Sequence, residues 1–128
     1  MTPEDAIIAA EAGAAAIVVS NHGGRALDHT PGTAEVLPEI AAAVRGKISV
    51  LVDSGIRSGI DVLKMLALGA HAVLIGRPLA IAAAGGGTEA VSAQLDAFRA
   101  QLRTAMILTG CSCMADISPR VLWHGQRP

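Results

Sequence analysis

The chain has 128 residues, 52% of them apolar and 2% aromatic, with a net charge of -1, a composition that fits one globular unit rich in Ala, Gly, Ile, Val and Leu. Its ten basic residues and four histidines are scattered, with no basic stripe and no aromatic platforms, so nucleic acid is not an expected partner. The longest apolar stretch, Met65 to Gly76, is interrupted by glycine and His71 and falls short of the roughly 18 to 20 residues of a membrane span; the acidic start, Glu4-Asp5, lacks secretory character, and a cytoplasmic location is the default expectation.

In chain order, Thr2 caps a helix with Pro3 in its first position and Glu4-Asp5 at the positive end of its dipole; it runs to about Ala12 and stops at Gly13. Residues 16–20 follow as a strand, and Ile17-Val18-Val19 reads as parallel and buried on both faces. Thr33 and Glu35 begin a second helix, with Pro38 near its start and Gly46 at its end. After a strand at 48–52, Ser58-Gly59-Ile60-Asp61 forms a capping box that opens a third helix closed by Gly69. A strand at 71–75 leads through Gly76-Arg77-Pro78 into a short apolar helix. The run Gly85-Gly86-Gly87 breaks it, and Thr88 caps a long helix ending near Gly110. Residues 12–19 and 68–75 echo one another, each a helix-stop glycine followed by a buried strand. Repeated strand–helix units predict an α/β fold with a parallel sheet. Residues 1–128 read as a single unit with a tail at 111–128.

Parallel sheets collect ligands and catalysis at the carboxyl ends of their strands. Ser20-Asn21-His22-Gly23-Gly24-Arg25 lies at such an end. His22 can exchange a proton near neutral pH, and Arg25 offers a planar fork of donors suited to a carboxylate. The ends of the next two strands carry Asp53 to Arg57 and Gly76-Arg77, where a barrel has its phosphate-binding loops. Backbone N–H groups bared by Gly55 and Gly76 can reach phosphate oxygens, and Arg57 and Arg77 can neutralise them.

The hexapeptide, with Leu27-Asp28 beyond it, resembles the active-site signature of the FMN-dependent α-hydroxy-acid oxidases and dehydrogenases. Val52-Asp53-Ser54-Gly55-Ile56-Arg57-Ser58-Gly59-Ile60-Asp61-Val62 resembles that family's flavin-phosphate segment, and Ala67-Leu68-Gly69-Ala70 with Ile75-Gly76-Arg77-Pro78 resembles the stretch after it. The likeness runs from about Thr2 to Gly110, in order and in spacing. It implies the C-terminal part of a (β/α)8 barrel, about its last three strand–helix units, since a whole barrel needs about 250 residues. It also implies FMN as cofactor, a small L-2-hydroxy acid as substrate and a 2-keto acid as product. By resemblance His22 is the base, taking either the hydroxyl proton or the α-proton, and Arg25 binds the substrate carboxylate. Ser20, Asp53, Ser54, Gly55, Ile56, Arg57, Gly76 and Arg77 are assigned to the cofactor. Ser54 departs from the glycine that many members carry. The family's barrel has a lysine beside the flavin on the strand before the first helix found here, and this chain starts after that position.

Two other classes compete: a catalytically incomplete half-barrel that binds FMN or phosphate or associates with another chain, and another phosphate-binding barrel enzyme such as the flavin-dependent isopentenyl-diphosphate isomerase. Three parallel strands leave an open edge on each side, so association through those edges, or a homo-oligomer, is expected. Asp28 and His29 read as a solvated loop, and His71, opposite the ligand-binding edge, as structural. Cys111 and Cys113 are spaced poorly for a metal pair or a disulfide and read as reduced structural thiols; no metal is assigned. Trp123 and His124 fall in a tail without periodicity, read as disordered or packed on a neighbouring chain.

Overall fold

The computed structural model describes residues 1–123. Helix α1 (Pro3–Glu11) is capped as its sequence dictates, the Thr2 side chain accepting from the Asp5 N–H at 3.2 Å. Strand β1 (Ala16–Val19) follows, then helix α2 (Thr33–Ala43), strand β2 (Ser49–Val52), helix α3 (Gly59–Ala67), strand β3 (Ala72–Val73) and helix α4 (Arg77–Leu108). The strands form one parallel sheet in the order β1-β2-β3, with Val19 opposite Val52 and Val52 opposite Val73. No helix among the described residues is long and apolar enough to cross a membrane.

Sheet pleating explains which residues form the core. The pairing register puts Ile17, Val19, Val50, Val52 and Val73 on one face, where they meet Leu37, Ile40 and Val44 at the α2 side and Met65 and Phe98 from α3 and α4. Leu37, Ile40, Val50 and Val52 are at most 2% exposed, each contributing about 1.5 to 3 kcal/mol on burial. The opposite face is open. Val18 is 50% exposed and Leu74 42%, so the expectation of a β1 buried on both faces is corrected: helices cover only one side of this sheet.

Strand β3 is shorter than the predicted 71–75, although its ladder continues beyond the two regular residues. The His71 N–H donates to the Val50 carbonyl at 2.7 Å and the Leu74 N–H to the Val52 carbonyl at 2.9 Å. His71 also accepts the Val50 N–H on Nδ1 at 3.0 Å, which is the structural role its position suggested. In α4 the helical path breaks where predicted, at Gly86 (φ -157°, ψ 19°) and Gly87 (φ 59°, ψ -147°); Gly87 occupies a region open essentially to glycine alone. α4 therefore has two arms, the second packing along α3. A side chain at Gly59 would fall on the Phe98 carbonyl oxygen and the Leu102 amide nitrogen, so this glycine permits backbone-to-backbone approach of the two helices.

Up to Trp123 the tail is more ordered than its sequence suggested. Short 3-10 turns occupy Met114–Asp116 and Pro119–Val121, and Cys111 is buried while Cys113 is exposed, both free. The structural-thiol reading thus holds for both, Cys111 in the core and Cys113 at the surface, where it caps the Met114–Asp116 turn in a capping box with Asp116. Trp123 is 91% exposed, and His124 lies outside the described residues.

Candidate active site

Each strand ends in a loop that contributes polar groups to the same edge of the sheet. After β1 the chain makes a tight left-handed turn: His22, Gly23 and Gly24 have φ of 56°, 66° and 77°. Gly23 and Gly24 accept this conformation without a Cβ penalty, whereas His22 carries a strain of roughly 1 to 2 kcal/mol. Side chains hold the turn in place. The Ser20 hydroxyl accepts the His22 N–H at 3.1 Å, Asn21 Oδ1 accepts the Gly24 N–H at 3.2 Å, and Asn21 Nδ2 donates to the Pro31 carbonyl at 3.3 Å.

After β2, Ser54 is again left-handed (φ 67°) and Gly55 follows at φ 83°. The Ser54 hydroxyl donates to Asp53 Oδ1 at 2.7 Å and accepts the Gly23 N–H at 3.0 Å. The loops after β1 and β2 are thereby joined through one hydroxyl. Thr33, 2% exposed, donates to the Asp53 carbonyl at 2.8 Å and fixes the β2 loop from below. Asp61 closes the next turn, accepting the Arg57 N–H at 3.1 Å and the Ser58 hydroxyl at 2.9 Å, while Ser58 accepts the Asp61 N–H. Ser58 caps α3 as read in the sequence, but the capping box is corrected to half of one, because the Asp61 carboxylate takes the Arg57 N–H in place of the Ser58 N–H. After β3, Gly76 caps α4 and Arg77 opens it. The Arg77 guanidinium reaches back over the first loop, with Nη2 3.3 Å from where a Gly23 side chain would begin.

These loops enclose a cavity of about 640 Å³. Of the residues singled out in the sequence, His22, Arg25, Asp53, Ser54, Gly55, Ile56, Arg57, Gly76 and Arg77 all line it. Ser20 does not; it holds the backbone of His22 instead. Ile56 is 3% exposed and belongs to the core, so it forms the cavity's floor more than a polar contact. Asp28 and His29 stand away from it, their side chains 92% and 95% exposed and 3.9 Å apart, as a solvated loop should. His22, Arg25, Arg57 and Arg77 are exposed at the cavity, leaving their donors and acceptors available to a ligand.

Three contributors escaped the sequence reading. Thr33 does begin α2, as read, after Gly32 at the cap, but its hydroxyl serves the neighbouring loop, a role the sequence did not show. Asn21 before a glycine pair is a legible Asx-turn signal. Gln94, which lines the cavity from α4, had none, because only the fold-back at Gly86-Gly87 brings it there.

A cradle for a phosphate monoester needs cationic donors and accessible backbone. Arg57 and Arg77 supply the first, and side chains added at Gly55 or Gly76 would meet nothing within 4 Å, so ligand atoms have room beside the backbone there. The residues present therefore fit the phosphate of a flavin mononucleotide. Comparison with known proteins agrees with this chemistry. Residues 1–124 match the family of FMN-dependent dehydrogenases. The chain is 51% identical to an L-lactate dehydrogenase of Allorhizobium ampelinum over 98% of its own length and 33% of that protein's. It is 48% identical to a 2-hydroxyacid oxidase of Dictyostelium discoideum, covering 96% of this chain and 32% of that one. The structure superposes on a mandelate oxidase variant bearing an FMN adduct with a TM-score of 0.88 and 52% identity, over 90% of this chain and 37% of the other. The chain spans about a third of the length of these relatives, and its three strand–helix units are part of a (β/α)8 barrel. From its loops, its cavity and these likenesses, the chain belongs to the FMN-dependent dehydrogenase family, whose cofactor is FMN.

Proposed function

We propose that this chain, a single unit over residues 1–128, carries the base, the carboxylate clamp and the phosphate cradle of an enzyme that oxidises an L-2-hydroxy acid to a 2-keto acid. One observation carries the reading: His22 and Arg25 from one loop share a cavity with Arg57 and Arg77 from the next two. FMN, when bound, supplies the two-electron acceptor. Arg57, Arg77 and the backbone at Gly55 and Gly76 would hold its phosphate, with Asp53 and Ser54 on the adjoining wall.

Arg25 orients the substrate by pairing its fork of N–H donors with the carboxylate. His22 accepts the proton released from the substrate, at the hydroxyl or at the α-carbon, on an imidazole nitrogen. Its turn is fixed by Ser20 and Ser54, so the imidazole meets substrate from a preset backbone. The relatives' names support the substrate class, since they include lactate, mandelate and 2-hydroxy acids in general. The cytoplasmic location expected from the sequence is part of this proposal.

A second reading rests on the open face of the sheet, where Val18 and Leu74 are exposed: the chain by itself binds FMN or phosphate without turnover and associates with another chain. Titration of the purified chain with FMN, followed by anaerobic addition of L-lactate, glycolate or mandelate, tests both. Bleaching of bound flavin supports oxidation by the chain itself, binding without bleaching supports the second reading, and no binding removes the cradle assigned to Arg57 and Arg77.

A further inference from the structure

Helix α4 carries two glutamines, Gln94 and Gln101, seven residues apart, which on a helix is two turns and nearly the same azimuth. The C-terminal one, Gln101, is engaged through its oxygen: Oε1 accepts the Gly59 N–H at 2.8 Å and locks the start of α3. The N-terminal one, Gln94, is half-buried and lines the cavity that holds Arg57 and Arg77. Among the described residues no side-chain hydrogen bond engages its carboxamide. Phe98, between the two, is 5% exposed in the core, which fixes this face of the helix inward. The break at Gly86-Gly87 turns the second arm of α4 back, so that Gln94 faces the cavity alongside Pro78 and Ile81 from the first arm.

We infer that Gln94 is a neutral ligand for the FMN phosphate, donating from Nε2 to a phosphate oxygen. This rests on the reading of the cavity as a phosphate cradle. Charge explains why a carboxamide suits the position. A phosphate monoester carries about -1.5 to -2 at neutral pH, which Arg57 and Arg77 together already balance. A third cation would leave the unliganded cavity more repulsive, whereas an amide adds a directed hydrogen bond and no charge. The same bond would serve inorganic phosphate, so the ligands must be compared with one that lacks the phosphate.

The test is binding of FMN, inorganic phosphate and riboflavin to the chain and to Gln94→Leu, Gln94→Glu and Arg77→Ala, read by flavin fluorescence and by thermal shift. Gln94→Leu should weaken FMN and phosphate about three- to tenfold, the value of one hydrogen bond, and leave riboflavin unchanged. Gln94→Glu, nearly isosteric, should weaken both phosphates further by placing a carboxylate against them. Melts of the unliganded variants establish that each is folded. Unchanged FMN binding in both Gln94 variants, with a loss in Arg77→Ala, overturns the role of Gln94 and leaves the cradle standing. Parallel weakening of FMN and riboflavin also overturns it, since that marks packing and not phosphate recognition. A wild-type chain indifferent to FMN and to phosphate overturns the cradle and this inference together.

Discussion

The Ser54 hydroxyl accepts the Gly23 N–H at 3.0 Å while donating to Asp53 Oδ1 at 2.7 Å, so one side chain couples the turn that carries His22 to the loop that carries Arg57. Ser54 does this from a left-handed backbone, φ 67°, that costs a non-glycine residue about 1 to 2 kcal/mol. Ser54→Gly removes the strain and the hydrogen bonds together, and the two nearly cancel at about 1 kcal/mol each. Ser54→Ala keeps the strain and strands the Gly23 N–H, so it should cost about 1 to 2 kcal/mol. Equilibrium unfolding should rank the variants with glycine close to wild type and alanine below both; alanine equal to wild type with glycine above them would show that the hydroxyl's bonds do not hold the loop.

His22 and Arg25 separate by what they bind. In a complete barrel containing this segment, His22→Ala should slow flavin reduction at least ~10²-fold with flavin still bound. Arg25→Lys should weaken binding of hydroxy acids far more than of FMN, because an ammonium cannot present a bidentate fork. Stopped-flow reduction and equilibrium titration measure the two quantities, and an Arg25→Lys variant that loses both ligands equally would mark the arginine as structural.

Gly59 allows α3 and α4 to touch backbone to backbone. A methyl group there would push against the Phe98 carbonyl, the Leu102 amide and Gln101 Cβ, none of which can rotate away. Gly59→Ala should therefore cost on the order of 3 kcal/mol, the upper end for overpacking, and lower Tm by about 10 °C. A melting curve that overlays the wild type would mean the helices can part freely.

Acid sensitivity in the tail should trace to Asp116. Its carboxylate accepts the Cys113 N–H at 2.9 Å and the Ser112 N–H at 2.8 Å, and these bonds, the Cys113 one foremost, hold its pKa below the usual 3.8, with Arg120 adding attraction. A depressed carboxyl contributes stability above the unfolded pKa and loses it as pH falls through the folded one. The stability gap between wild type and Asp116→Asn should be present at pH 7 and shrink below about pH 4. A gap that is constant with pH would show that the ionised form is not what the two amides bind.

The open face of the sheet predicts association. Val18 and Leu74 are exposed on it, and the outer edges of β1 and β3 have no partner among the described residues. Sedimentation should show concentration-dependent assembly that the double substitution Val18→Lys with Leu74→Lys reduces. Assembly unaffected by these charges would place the contact on another surface.

Sequence alone determined the alternation of strands and helices, because its signals are local: Thr2 and Ser58 as caps, Pro3 at a first helical position, glycines at 13 and 69 where helices stop, and the triple glycine that breaks α4. It also singled out the polar loops, since the histidine–arginine motif after the first strand is followed in register by glycine- and arginine-bearing motifs after the next two. Tertiary structure decided what those loops share. The register Val19 to Val52 to Val73 aligned three strand ends and turned separate motifs into one cavity, and it assigned Ser20 to support of His22, Thr33 to the β2 loop and Gln94 to the cavity wall. It also exposed Val18 on a face that the run of β-branched residues had suggested was buried. Periodicity reports how a residue faces within its own element, whereas what lies opposite that face is set by elements distant in the chain.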